Sequence, residues 1–276
     1  MNSVRQKRES VRRVYAASVS GEWRRLKADS FRRLEWETTR RFLRRYLPKR
    51  GLVLDAGGGP GRYAIQLGRW GYDVSLLDLV SENLDFAKRR VRKEGVGPRI
   101  KEFVKGSITD LAMFKAGTFD AVLCLGGPLS HVYSESARRK AISELVRVAR
   151  RGAPIFVSVM SKWGVLLATP SGWPQEAALG NFRSFVRSGD DNRWCGKSYC
   201  HFFTSDELGK LLMREKVRIV ERIGLEGLNI NQDTTSRFAK YHPKAWKAWL
   251  AFHRKNCTES FVVDASNHML FVVKKK

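Results

Sequence analysis

The sequence predicts an α/β fold built on an open, mostly parallel sheet. Short apolar runs alternate with helical stretches over residues 50–160, as in successive βαβ units. A glycine-rich turn, Gly57–Gly61, follows the first apolar run and leads directly into the first helix. An acidic residue, Asp78, ends the second apolar run. Together these observations predict a ligand site at the carboxyl ends of the strands.

The remaining elements follow in a regular order. We predict strands at residues 52–54, 74–77, 100–104, 119–125, 155–160, 217–223 and 269–273, and helices at 62–69, 82–94, 135–150 and 206–215. Residues 161–203 and 224–267 do not fit the alternation and are interpreted as two insertions. Because they follow strands that end on the ligand side, we expect both to cover the site. The chain divides into a basic helical arm, 1–50, and an α/β domain, 51–276.

The arm is unusually basic. It carries sixteen Lys and Arg residues against five acids. On a helical wheel Arg32, Arg40 and Arg44 share one arc, and Phe31 and Phe42 lie roughly opposite. This pattern predicts an amphipathic helix with a basic outer face, which ends before the proline at position 48.

The whole chain is basic as well. Its 276 residues include 52 Lys and Arg against 27 Asp and Glu, a net charge of +25. Ion-pair networks need acids and bases in comparable number, so this excess favours contact with a polyanion. We predict an RNA partner; an anionic membrane surface and a merely solvated surface are the alternatives.

The sequence predicts neither a membrane span nor a secretory signal. There is no run of ~18 apolar residues, and the first residues are basic and polar. The four cysteines are too few and too scattered to form a disulfide framework in a chain of this length. We therefore expect a reducing, cytoplasmic environment. Cys195, Cys200 and His201 lack good metal-ligand spacing, and no metal is predicted.

Two residues distinguish the kind of ligand. A dinucleotide site would have a third glycine at the position of Arg62, and the carboxylate of Asp55 would repel a pyrophosphate. The same carboxylate attracts an ammonium or a sulfonium group. A cationic cofactor is therefore favoured over a nicotinamide or flavin dinucleotide.

Several motifs of this sequence resemble those of a known family. Residues 53–62, VLDAGGGPGR, and 76–78, LLD, resemble the first two motifs of class I S-adenosylmethionine-dependent methyltransferases. Residues 106–111 and 119–124 are similar to the segments of strands three and four in that family. The resemblance covers about residues 50–160 and implies a Rossmann-like, seven-stranded sheet completed by a final antiparallel strand. It also implies S-adenosyl-L-methionine as the cofactor.

The resemblance assigns cofactor-binding residues by position. Asp55, Gly57 and Gly59 would contact the methionine moiety, and Asp78 would hold the ribose hydroxyls. Ser107 and Ile108 would flank the adenine, and Leu79 and Leu125 would complete the cofactor site.

The acceptor is expected beside the loop that follows strand four. This loop lacks the acidic or amide residue followed by two prolines that amino-group methyltransferases of the family often have. Backbone groups of Gly126 and Gly127 would bind the acceptor, and His131 is the candidate general base, with a purely structural histidine as the alternative. Tyr199 and His201, in the first insertion, and His268, at the start of the last strand, are further candidates for acceptor binding.

The sequence therefore predicts an RNA-directed methyltransferase. Its target would be a base of rRNA or tRNA, for example an exocyclic amine such as that of cytidine. Two alternatives remain open: a methyltransferase that acts on small molecules, and a cofactor-binding RNA assembly factor that performs no transfer.

Overall fold

The protein is described by a computed structural model that covers residues 2–194, 198–229 and 231–276, with side chains from residue 4. Its strands are β1 (Leu52–Ala56), β2 (Asp73–Asp78), β3 (Ile100–Lys105), β4 (Ala121–Cys124), β5 (Pro154–Met160), β6 (Asp190–Trp194), β7 (Ser198–His201), β8 (Val217–Gly224) and β9 (His268–Lys275). Its helices are α1 (Asn2–Ala17), α2 (Val19–Arg25), α3 (Ser30–Tyr46), α4 (Arg62–Arg69), α5 (Ser81–Lys93), α6 (Glu135–Val148), α7 (Lys162–Gly172), α8 (Phe182–Ser188), α9 (Ser205–Met213), α10 (Gln232–Tyr241), α11 (Pro243–Asn256) and α12 (Ser260–Ala265).

Seven strands form one sheet, in the order β3-β2-β1-β4-β5-β9-β8. The strands from β3 to β5 are parallel, and β9 runs antiparallel to both of its neighbours. The predicted Rossmann-like α/β fold, with a mostly parallel seven-stranded sheet and a final antiparallel strand, is confirmed. The chain order reverses between β1 and β4, and ligands bind at such a reversal in open α/β sheets.

Two hydrophobic layers cover the sheet, because successive strand residues point to opposite faces. On one face α3, α4 and α5 pack on Val53, Leu123 and Phe156. On the other face α6 and α9 pack on Leu54 and Val122. The arm helix α3 is therefore part of the layered core. It ends at Tyr46 because Leu47, before Pro48, is extended with ψ of 145°.

The second insertion, residues 224–267, packs on the outside of α3. The Oγ1 atom of Thr38 lies 2.9 Å from Nε2 of His253 on α11. Arg41 also donates to the backbone carbonyl of Arg254 at 2.5 Å. These contacts hold α10 and α11 beside the arm and away from the glycine-rich turn.

The first insertion, residues 161–203, builds a small core of its own. The strands β6 and β7 pair as an antiparallel hairpin, and Phe185, Phe202 and Val165 are buried against it. Helix α1 lies against β7 and α5. No helix in the described part of the chain has both the length and the apolarity needed to cross a membrane.

Candidate functional site

A cavity lies at the carboxyl ends of β1, β2 and β4, where the chain order reverses. The glycine-rich turn forms one side, and the loops after β2, β3 and β4 form the walls. Helices α1 and α2 close the remaining side with Val11, Tyr15, Glu22, Arg25 and Leu26. The arm therefore completes the cavity.

The glycine-rich turn brings backbone close to the cavity. Gly57 has φ of +77°, and a Cβ atom there would lie 2.6 Å from Cγ of Pro128 in the loop after β4. The N–H of Gly57 donates to the carbonyl of Leu77 at 2.7 Å, which joins the turn to β2. Only glycine fits this conformation and this close approach. Gly57 and Gly59 both line the cavity.

Asp78 links the glycine-rich turn to α5. Its Oδ2 atom accepts from the N–H of Gly59 at 2.8 Å, and Oδ1 accepts from the N–H of Val80 at 2.9 Å and the side-chain amide of Asn83 at 3.1 Å. Burial raises the pKa of Asp78, and these three donors oppose the shift. The carboxylate lines the cavity in one fixed orientation, which suits an acceptor for a pair of hydroxyl groups.

Asp55 lies beneath the turn and is fully buried. No described group is in hydrogen-bonding geometry with either carboxylate oxygen. A Cβ on Gly58 would lie 2.5 Å from Oδ2, so Gly58 separates this carboxylate from the cavity, which Asp55 does not line. Burial raises the pKa of Asp55 to about 7; the backbone amide of Ala64 opposes the shift and Asp78 adds to it. Such a carboxylate favours a cation on the other side of the turn.

The other side of the cavity combines apolar side chains with hydroxyl groups. Leu79, Ser107, Ile108 and Leu125 all line it. The Oγ atom of Ser107 lies 2.8 Å from Oγ1 of Thr109, which fixes the turn after β3. Ile108 is 5% exposed, so its side chain offers an apolar surface while most of it packs in the core.

His131 reaches the cavity from the short 3₁₀ turn after β4 and meets Tyr15 of α1. Its Nδ1 atom lies 3.0 Å from the carbonyl oxygen of Tyr199, and its Nε2 atom lies 2.7 Å from the Tyr15 hydroxyl. Because a carbonyl only accepts, Nδ1 carries the proton and Nε2 accepts from Tyr15. Burial lowers the pKa of His131, although the Tyr199 carbonyl and Glu22 oppose the shift. His131 is therefore a neutral base whose lone pair points toward α1.

Gly126 lines the cavity, whereas Gly127 does not. The N–H of Gly126 donates to Oγ of Ser158 at 2.8 Å, so this loop is attached to β5. Gly127 has φ of +88° and begins the 3₁₀ turn that carries His131. Of the two, Gly126 is the one that meets the cavity.

Tyr199 and His201 lie outside the cavity lining. The Tyr199 hydroxyl donates to Asp190 at 2.5 Å. His201 is 2% exposed and lies between Asp190, 2.8 Å from Nδ1, and Glu207, 2.7 Å from Nε2. Burial opposes protonation, but the two carboxylates raise the pKa of His201. In this arrangement the pair fixes the β6–β7 hairpin, and Tyr199 meets the site through its carbonyl bond to His131 and through its ring, 5.0 Å from the ring of the lining residue Tyr133.

His268 also lies outside the lining and forms a buried cluster with Glu226 and Glu35. Its Nδ1 atom is 2.7 Å from Oε1 of Glu226, and Oε2 of Glu226 accepts from the Ser266 hydroxyl at 2.8 Å. Arg25 donates to both oxygens of Glu35, at 2.5 and 3.1 Å. These ligand-type atoms lie within 4.8 Å of one another, but the hydrogen bonds already satisfy them. Cys195, the other metal-ligand candidate considered, lies outside the described residues.

The cover of the cavity differs from the prediction. None of the described residues of 161–203 or 224–267 lines it, so neither insertion forms its immediate wall, although the first insertion contacts His131 through the Tyr199 carbonyl. The reason is packing: the second insertion lies on α3 and the first has its own core. Val4, Val11 and Tyr15 of α1 cover the site instead. Their spacing places them on one helix face, a signal already present in the arm.

Comparison with known proteins identifies the domain. Residues 53–152 match the family model described as a methyltransferase domain. The chain is 28% identical over 204 residues to a glycine/sarcosine N-methyltransferase from Parasynechococcus marenigrum, covering 68% of this chain and 63% of that protein. It is 28% identical over 156 residues to the tRNA 5-carboxymethoxyuridine methyltransferase of Escherichia coli, covering 56% and 54%. The chain spans less than two thirds of the length of the first curated relatives that it matches.

Solved structures share the fold. A 1,6-didemethyltoxoflavin-N1-methyltransferase from Burkholderia thailandensis, solved with S-adenosylhomocysteine, aligns with a TM-score of 0.61 at 16% identity, covering 99% of this chain and 90% of that one. An S-adenosylmethionine-dependent methyltransferase from Methanosarcina mazei aligns with a TM-score of 0.59 at 20% identity, covering 85% and 96%.

The cavity fits the cofactor of these proteins. The unpartnered carboxylate of Asp55 complements a positive charge across the glycine-rich turn, and Asp78 is oriented toward the cavity as a hydroxyl acceptor. Ser107 and Ile108 line the part of the cavity that suits the adenine. Residues 53–152 therefore form a methyltransferase domain, and the chain has the fold of S-adenosylmethionine-dependent methyltransferases.

Proposed function

We propose that the protein transfers a methyl group from S-adenosylmethionine to a nitrogen or oxygen nucleophile of RNA. The observation that carries the chemistry is the neutral His131, whose Nε2 accepts a hydrogen bond from Tyr15 where both side chains line the cavity. S-adenosylmethionine supplies an electrophilic methyl group on a positively charged sulfur. The protein has to align the nucleophile, exclude water and remove one proton.

The residues around His131 provide a route for that proton. Nδ1–H stays bonded to the Tyr199 carbonyl, so a proton can be gained only at Nε2. Tyr15 donates to this atom, and its oxygen is free to accept from an acceptor in the cavity. The acceptor passes its proton to the Tyr15 oxygen as the Tyr15 proton moves to His131. Glu22, which raises the pKa of His131, stabilises the imidazolium that results.

The charge of the protein favours RNA as the acceptor. A net charge of +25 is well beyond what solubility requires and matches a polyanionic partner. A small-molecule acceptor is the second candidate, because Val11, Tyr15 and Leu26 of the arm cover one side of the cavity and narrow it. Among the relatives, the names include both a tRNA methyltransferase and a glycine/sarcosine methyltransferase.

A transfer assay separates the candidates. The protein is incubated with S-adenosylmethionine labelled in the methyl group, first with total RNA and then with a small-molecule extract. Label in RNA supports the proposal, and label only in small molecules supports the second candidate. Cofactor binding with no transfer to either pool would contradict both candidates and would support an RNA assembly factor that binds the cofactor without transferring the methyl group.

The Asp78→Ala variant is expected to bind S-adenosylhomocysteine about 30-fold more weakly. The substitution removes a charged hydrogen-bond acceptor for the cofactor, which is worth about 2 kcal/mol. It also removes the acceptor for the N–H of Gly59, which orients the turn. Titration calorimetry measures the change. Asp73→Ala, at the opposite end of β2, is the matched control and should leave affinity unchanged; equal losses in both variants would contradict this role for Asp78.

A further inference from the structure

A basic groove lies directly beside the cofactor cavity, between α2, α4 and α5. Its cationic side chains are Arg24, Lys27, Arg62, Arg69 and Arg90. Glu94 is the one carboxylate among its described lining residues, and it pairs with both Arg69 and Arg90. The groove therefore keeps a large excess of positive charge.

Three cations in this groove, Arg24, Lys27 and Arg62, lack a counter-ion among the described residues. No described carboxylate lies within 4.0 Å of any of the three, the pKa values of Arg62 and Lys27 are shifted, and Nε of Arg62 is buried with no described partner. Burial, reinforced by Arg90 and Arg25, lowers the pKa of Arg62 to about 10, against the opposing influence of Tyr63. Burial and the neighbouring Arg62 also lower the pKa of Lys27. Cationic groups that lie close to other cations are stabilised when an anion binds beside them.

Aromatic rings are interleaved with these cations. The guanidinium groups of Arg62 and Arg90 lie 4.1 and 4.5 Å from the ring centroid of Trp23. On α3, Arg40 lies between the rings of Trp36, at 5.4 Å, and Trp70, at 5.7 Å. Cation–π contacts hold the guanidinium groups in place without neutralising their charge.

A second groove on the other side of α3 repeats this composition. Its cationic residues are Arg33, Arg40, Arg41, Arg44 and Arg254. Glu37 is the carboxylate among its described lining residues and pairs with Arg40 at 3.0 Å. Arg40, which lines this groove, lies 5.4 Å from the ring centroid of Trp36, which lines the first groove, so α3 joins the two grooves.

We propose that these two grooves form one track, the basic belt, that binds the phosphate backbone of single-stranded RNA and leads it to the cofactor cavity. The belt is defined by the ten cationic residues named for the grooves, and it rests on the proposed function. Arg62 lines both the first groove and the cavity, so an RNA strand in the belt passes beside the acceptor site. Ten cations against two carboxylates, spread over both sides of a helix, match a chain of phosphates better than one small anion. A concave surface rich in arginine and tryptophan also fits a strand better than a flat membrane.

The experiment compares two triple variants of the full chain. The belt variant is Arg24→Ala, Lys27→Ala and Arg44→Ala, all exposed residues outside the cavity lining. The control is Arg139→Ala, Lys140→Ala and Lys216→Ala, which removes the same charge from exposed positions on the opposite face of the sheet. The probe is a fluorescein-labelled 20-nucleotide single-stranded RNA of mixed sequence, followed by fluorescence anisotropy over a series of salt concentrations. Thermal melting checks that both variants are folded.

The belt variant is expected to bind the probe roughly 100-fold more weakly than the wild type at ~0.1 M salt, with a salt slope that is smaller by about 2, because three phosphate contacts are lost. The control should change affinity less than three-fold. Equal weakening in both variants would show non-specific attraction and overturn the belt, as would binding to anionic vesicles with no binding to the probe. RNA binding through the belt without methyl transfer would overturn the proposed function alone. Transfer to RNA that is unchanged in the belt variant would overturn the belt alone.

Discussion

Replacing His131 by asparagine is expected to lower kcat roughly 100- to 1,000-fold, which is the usual contribution of a positioned general base. The asparagine amide can still bond to the Tyr199 carbonyl, so the loop after β4 keeps its attachment. Affinity for S-adenosylhomocysteine should stay within three-fold, because the cofactor contacts lie elsewhere in the cavity. Single-turnover transfer of labelled methyl into the acceptor pool measures the rate.

The pH dependence of the transfer rate is a second test of the same variant. His131 must be neutral to accept a proton, and burial lowers its pKa. The wild-type rate should therefore be flat above the ordinary pKa of histidine, ~6.5, and should fall only at lower pH. The asparagine variant should lose this acid limb.

Tyr15 and His242 supply the comparison. The kcat of Tyr15→Phe should fall to within about ten-fold of the kcat of His131→Asn, because the substitution breaks the proton route and leaves the aromatic ring in place. His242→Asn, an exposed histidine at the start of α11, should have no effect. If Tyr15→Phe keeps the wild-type rate, the acceptor contacts His131 directly. If His131→Asn is fully active, His131 is not the general base.

Replacing Asp55 by asparagine is expected to act in opposite directions on stability and on cofactor binding. In the free protein the folded-state pKa of Asp55 is raised to about 7. A raised carboxyl pKa means that the free energy of unfolding falls as pH rises from about 4 to about 7. Asp55→Asn should remove this dependence and stabilise the free protein at pH 8 by on the order of 3 kcal/mol, with little change at pH 4.

The same substitution should weaken S-adenosylmethionine about ten-fold, and S-adenosylhomocysteine by less, because only the former carries a sulfonium. Urea unfolding at pH 4 and pH 8 and titration calorimetry with both ligands make the measurements. Asp85→Asn, exposed on α5, is the control. Destabilisation at pH 8, or equal loss of affinity for both ligands, would contradict this role for Asp55.

The sequence predicted the sheet and the glycine-rich turn because local signals determine both. Apolar runs, the turn glycines and Asp78 lie close together along the chain, and the strands and helices formed near the predicted positions. The hairpin β6–β7 was not predicted, since its residues carry charges and lack a clear alternation. Its stability comes from side chains such as Tyr199 and His201, which meet Asp190 only after pairing.

The cover of the site was missed for a related reason. Arginine dominates the composition of the arm, and the apolar face of α1, which includes Val11 and Tyr15, is the weaker signal. Arg25, which lines the cavity, finds its partner Glu35 on another helix, so its role depends on tertiary packing. A helical wheel of residues 2–17 would have revealed the apolar face of α1, but not the cavity that it covers.

The bond between Tyr15 and His131 joins residues 116 positions apart. Tyr15 is carried by α1, whereas the glycine-rich turn, Asp78 and Ser107 belong to the loops of the sheet. Undocking of α1 is therefore expected to separate the two activities of the pocket: S-adenosylhomocysteine would still be recognised by the sheet loops, but the proton relay would be broken.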